Sequence, residues 1–190
     1  TFTNNTAVLF GGGLYNNLSN PNLTSITFSG NSSSSGGAVY NAENSHPLIV
    51  SITFVDNVAG QAGGALFNSY STADITNSII WGNIPDAISG SQSLVTYSII
   101  QGGFAGTGNL DVDPDFVPPD GSDPFISIYP LQPGSPAIDS GNPDPLTCPL
   151  TDQRGFPRPI DGDGDGVAIC DMGSYEYGFQ YSIYLPITFK

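Results

Sequence analysis

The residues best equipped for chemistry lie late in the chain. Asp161, Asp163 and Asp165 alternate with Gly162, Gly164 and Gly166, which puts three carboxylates on a turn that glycine leaves free to curl. A hard cation such as Ca2+ takes about six to eight oxygen ligands, and closely spaced carboxylates converging on one ion begin to supply them. The expected ligands are Asp161, Asp163, Asp165, the Val167 carbonyl and Asp171, with Ca2+ in a structural role. The bland alternative is a solvated acidic turn. Asp111, Asp113 and Asp115 form a weaker second candidate, stiffened by Pro114 and followed by no glycine.

Two further groups surround this run. The only histidine, His46, is far from Cys148 and Cys170, so no zinc constellation forms. A disulfide is the expected state, and it implies an oxidising, exported setting. It would close a loop of about twenty residues and stabilise it by about 3 kcal/mol in the chain-entropy view. Inside that loop lie the only arginines, Arg154 and Arg158, with Asp139, Asp152, Asp171 and Glu176 as candidate partners. Rare cations among carboxylates form bidentate pairs that hold irregular segments together; a site for a ligand carboxylate is the alternative. Acids at loop positions 1, 3 and 5 with glycine at 6 resemble the first half of an EF-hand loop. Met172 stands at position 12 and Asp171 falls one short, so a full EF-hand is not expected.

The elements that must position these groups contain little helix. The chain has 190 residues, 24 of them Gly and 16 Pro, while Glu, Lys, Arg and Met together supply six. Strong helix formers are scarce, and an all-β fold follows. Phe2, Phe28, Phe54 and Ile80 are 26 residues apart, and so are Asn5, Asn31, Asn57 and Asn83. A period of that length in a β-rich chain predicts a β-solenoid. Stacked turns place identical side chains about 4.8 Å apart, so the Phe/Ile column becomes an inward apolar ladder. The Asn column becomes a corner ladder of amides. Gly11-Gly12, Gly36-Gly37 and Gly63-Gly64 mark a second corner.

The Phe-x-x-Asn pattern followed by Gly-Gly-Ala-(Leu/Val) resembles the repeats of polymorphic outer-membrane proteins, which implies a right-handed parallel β-helix at a bacterial surface. Three motifs resemble the C-terminal module of the choice-of-anchor Q group of exported bacterial β-helix proteins: 133–141, Asp152 to Pro159, and Cys170 to Glu176. That resemblance implies location and architecture and carries no catalytic residues. The expected fold is a parallel β-helix of about four to five coils at 1–103. An irregular cap follows at 104–145, then a Cys-bridged Asp-rich module at 146–177 and a terminal strand at 178–190.

In that tail Phe179, Tyr181, Ile183, Leu185, Ile187 and Phe189 alternate on one face, and Pro186 keeps the strand from the middle of a sheet. It is expected to pair head-to-tail with a neighbouring copy, or to fold back along its own solenoid. Thr1 lies inside a repeat, so the expectation is an upstream piece of chain or a covering subunit.

Three Lys+Arg against 17 Asp+Glu, with neither Lys nor Arg in residues 1–153, exclude a polyanion partner such as nucleic acid. No apolar run is long enough to span a membrane. The solenoid offers only Glu43, Asp56, Asp74 and Asp86 as acids, too few and too scattered for polysaccharide cleavage. The expected role is therefore a non-enzymatic, self-associating protein of the cell surface. The alternative is a glycan-binding or adhesive surface in which Tyr15, Tyr40 and Phe67 form an aromatic stripe. Asn4, Asn17, Asn22 and Asn31 each open an Asn-x-Ser/Thr sequon, effective only where a transferase is present.

Overall fold

A computed structural model describes residues 1–118 and 128–178. The first turn holds β1 (Phe2–Thr3), β2 (Leu14–Asn17) and β3 (Asn22–Thr24). The second holds β4 (Thr27–Ser29), β5 (Ser32–Ser35), β6 (Val39–Ala42) and β7 (Leu48–Val50). The third repeats them as β8 (Thr53–Val55), β9 (Val58–Ala62), β10 (Leu66–Ser69) and β11 (Asp74–Thr76). A fourth, β12 (Ile79–Trp81), β13 (Ile88–Gly90) and β14 (Leu94–Thr96), leads into β15 (Ile99–Ile100).

Every strand pair is parallel, and the sheets run β1-β4-β8-β12-β15, β13-β10-β6-β2, β14-β11-β7-β3 and β5-β9. The architecture is a parallel β-solenoid with almost no helix, a single short 3-10 turn at Pro145–Thr147 among the described residues. The coil number is slightly below the four to five expected. Three turns of 26 residues carry the chain from Phe2 to Ile80, and the next shortens to 20.

Stacking of like side chains builds the interior. Phe2, Phe28 and Phe54 lie ring over ring at 4.8 and 5.1 Å, with Ile80 next in the column. Phe28, Phe54 and Ile80 are all fully buried. The glycine corner has two separate causes. Gly36 has φ +66°, the left-handed region that side chains avoid. A Cβ on Gly37 would run into the carbonyl oxygen of Gly64 one turn on.

Residues 104–110 lie over the last turn, where Tyr97 N donates to Thr107 O at 2.8 Å and Ile100 N to Leu110 O at 2.9 Å. Residues 131–177 lie instead along the outer face of the β1-β4-β8-β12-β15 sheet. The burial patterns record this cover. β3 reads exposed, buried, exposed, whereas β4 and β8 are buried on both faces. Outward-facing Ile79 and Ile99 form a second core with Leu131, Ala137, Ile138 and Met172. The expected assembly strand, Phe179 to Phe189, lies outside the described residues.

Candidate functional site

The C-terminal module gathers most of the charged chemistry, and its centre is Arg158. Its Nε donates to Glu176 Oε2 at 2.7 Å, and both side chains are fully shielded from water. The remaining guanidinium nitrogens donate to Gly173 O at 3.1 Å and Asp171 O at 2.6 Å. Glu176 also accepts from Ile160 N and Asp171 N, so every polar side-chain atom of the buried pair has a hydrogen-bond partner, the condition under which such a pair is tolerated. Arg154 donates to Asp152 Oδ2 through Nε and to Glu176 O through Nη2. Its guanidinium lies 3.6 Å from the Tyr175 ring centroid, a cation–π contact. Both arginines thus act within the fold.

Asp171 sits beside this pair. Its carboxylate accepts from Asp139 N at 2.8 Å and Tyr177 N at 2.6 Å. Burial, then the neighbouring Glu176 carboxylate, push it up to about 8. Burial also raises Glu176, against the lowering pull of Arg158.

The module is fastened to the solenoid by side chains that the strand alternation turns outward. Ser174 N donates to Thr53 Oγ1 at 2.9 Å, and the Ser174 hydroxyl bonds Thr53 and Thr27. Thr27 also donates to Gln153. Gly173 N donates to Asn77 O at 2.8 Å, while the Asn77 carboxamide bonds Asn142 N and Thr147 O. Cys148 and Cys170 form the disulfide that joins the two docked strips.

The acidic loop departs in part from its expected ligand set. Asp139, Asp161 and Asp163 bring carboxylate oxygens within 4.8 Å of one another. Asp139 receives Gly162 N, Asp163 N and Ile169 N, which pins the loop against residue 139. Asp165 accepts from Val167 N. Asp171 is engaged by Asp139 N and Tyr177 N, and Val167 is exposed. Asp139, expected among the partners of the arginines, stands 22 residues before Asp161 in the sequence and meets it only in the fold. Of the weaker acidic run, Asp111 accepts Gly102 N and Asp113 accepts Asp115 N.

The corner amides form a continuous chain. Asn5, Asn31 and Asn57 each donate Nδ2 to the Oδ1 of the next, ending at Asn83, at 2.9 Å in every step. A second ladder went unread: Asn16 to Asn41 to Asn68 to Ser93, all at 2.8 Å. On the outside of the same strands Tyr15, Tyr40 and Phe67 stack at 5.6 and 5.2 Å with interplanar angles of 20° and 12°. Their faces are turned to each other.

A pocket of about 450 Å³ lies where the fourth turn shortens, between Gly82–Ala87 and Gln101–Gly102. Its one carboxylate, Asp86, accepts from Gly63 N and the Ser89 hydroxyl.

Comparison with known families bears on the repeats. The Chlamydia polymorphic membrane protein repeat matches residues 25–42 and 51–69. The two stretches span β4 to β6 and β8 to β10, so each contains a phenylalanine rung, Phe28 or Phe54, and a ladder asparagine, Asn41 or Asn68, one residue before its end. No curated protein and no solved structure matches the chain. Among the described residues no helix is long and apolar enough to cross a membrane.

Proposed function

We propose that the chain is a non-enzymatic structural protein of an outer cell surface, a solenoid that associates with copies of itself. The observation that carries this reading is where the repeated polar side chains go. Asn31, Asn41 and Asn57 bond to adjacent turns, and Thr27 and Thr53 bond to the docked module. These columns hold the fold together and do not converge on a cavity. The match to surface-protein repeats supports an outer location, and the three motifs in 133–177 that resemble the choice-of-anchor Q module agree with it.

Adhesion to glycans is the second reading. The exposed edges of Phe10 and Tyr15 favour it; the mutual stacking of the column counts against it, because rings that cover each other offer no platform for a sugar. In either reading the Asp139, Asp161 and Asp163 cluster suits a hard cation such as Ca2+, and its role would be to stiffen the loop.

Two measurements test the main reading. Incubation with neutral and acidic polysaccharides should release no reducing ends or unsaturated products, and turnover abolished by Asp86→Asn would overturn the non-enzymatic assignment. Sedimentation of the full chain should show mass rising with concentration; a monomer at every concentration would overturn self-association.

A further inference from the structure

The four sequons of the first turns are far from equivalent once folded. Asn31 is fully buried and both ends of its carboxamide are held in the corner ladder, so no enzyme can reach it. Asn4 is exposed, but the aromatic two residues before it, Phe2, turns inward and stacks on Phe28. Asn22 is exposed and is preceded at that distance by Asn20.

Asn17 differs from all three. It lies on β2, whose pattern runs half-buried, exposed, buried, exposed, so Tyr15 and Asn17 share the outer face while Asn16 enters the second amide ladder. Residues two apart on a strand stand about 7 Å from each other, the reach of one sugar ring. Tyr15 is 48% exposed. The neighbour of Asn17 one turn on is Ala42, a methyl that leaves the space beside it open. The middle residue of the sequon, Leu18, is 73% exposed at a corner with φ +50°, so the acceptor sits at a bend and not within a flat ladder.

We propose that Asn17 is an N-glycan acceptor in the folded chain, and that the first sugar packs on Tyr15. The co-reactant is an oligosaccharide carried on a polyprenyl diphosphate. The Asn17 Nδ2–C1 bond forms as the C1–oxygen bond to the diphosphate breaks; the lipid diphosphate leaves and the amide nitrogen gives up one proton. An apolar sugar face against the exposed edge of Tyr15, whose ring stacks on Tyr40, then covers surface that Tyr15 otherwise leaves in water.

The test treats the folded chain with a eukaryotic-type oligosaccharyltransferase and its lipid-linked donor, beside a peptide of residues 13–21, and locates the glycan by mass spectrometry. The expected result is modification at Asn17, absent in Asn17→Gln, with Asn31 unmodified. The glycoform should melt on the order of 2 °C above the bare chain, and Tyr15→Ser, measured against its own unmodified form, should remove that increment. An unmodified Asn17 in the folded chain, with or without modification of the peptide, overturns the acceptor assignment. An increment that survives Tyr15→Ser overturns the role given to the ring.

Discussion

Arg158 and Glu176 meet at 2.7 Å with neither side chain exposed to water, and every strip of the C-terminal module is tied to one of them or to a residue they hold. Removing one member leaves the other charge buried without its partner. Glu176→Ala or Arg158→Ala should therefore lower stability by about 3–5 kcal/mol, read from urea melts. Replacing both by apolar residues should cost clearly less than the two single losses added together. A double variant whose loss equals that sum would show that the two charges act independently.

The amide ladder predicts a gradient along its length. Asn57, itself fully buried, accepts from Asn31 and donates to Asn83 and to Phe28 O. Asn57→Ala should cost on the order of 3 kcal/mol, since it strands several buried partners. Asn5, which is exposed and whose side chain donates to Asn31, should cost under about 1 kcal/mol when truncated. Equal losses at the two positions would contradict the ladder as the source of the effect.

The pH dependence runs opposite to ordinary acid denaturation. Asp171 is pushed up to about 8 in the folded chain and Glu176 is also raised. A carboxyl whose folded pKa exceeds its unfolded value contributes stability that is present below the unfolded value and lost as pH rises through the folded one. With chelator present, the melting temperature should fall between pH 5 and pH 8. Asp171→Asn should flatten that slope, and an unchanged slope would assign the effect elsewhere.

Calcium gives a separate expectation. Chelation should lower the melting temperature more in reducing agent than without it, because the ion and the Cys148–Cys170 bond restrain the same loop. Asp139→Asn and Asp161→Asn should abolish the chelator effect. Identical melts with and without chelator under both redox conditions would reject the site.

Ser51 supplies a prediction of the other sign. Its hydroxyl is buried without a hydrogen-bond partner among the described residues, and its backbone sits at φ +53°. Ser51→Gly removes both costs and should stabilise by about 1 kcal/mol. Ser78, whose hydroxyl bonds Ile52 N and Thr76 O, should lose stability on truncation to Ala. Calorimetric melts of the two variants should move in opposite directions.

What could be read in advance followed from constancy of spacing. Phe28 and Phe54, and Asn31 and Asn57, recur at one interval, so their columns declared themselves. The second amide ladder did not, because its steps are 25 and then 27 residues. A β-bulge, where Ser33 faces Ala59 but Ser35 faces Ala62, adds one residue to the third turn and sets the step of 27 at Asn41 to Asn68; the step is 26 again by Ile49 and Ile75. Pairing of the arginines with carboxylates was legible as chemistry, but the choice of Glu176 for Arg158 depends on how residues 18 apart meet after docking. Thr27 and Thr53 precede the inward Phe28 and Phe54, so strand alternation turns them outward. Only the arrival of Ser174 makes them interior.

The lateral seam has a consequence for biogenesis. Ser174 bonds residues 121 and 147 positions earlier, so the seam cannot close until nearly the whole described chain has been synthesised. The solenoid turns are made of neighbours in sequence and can form behind the ribosome in order. Their outer Thr27, Thr53, Ile79 and Ile99 positions then wait bare for the last strip. A chain cut short before residue 170 presents that uncovered sheet face as a mark of incompleteness, open to proteases and to other chains. The timing of seam closure is thus written into the order in which the residues emerge.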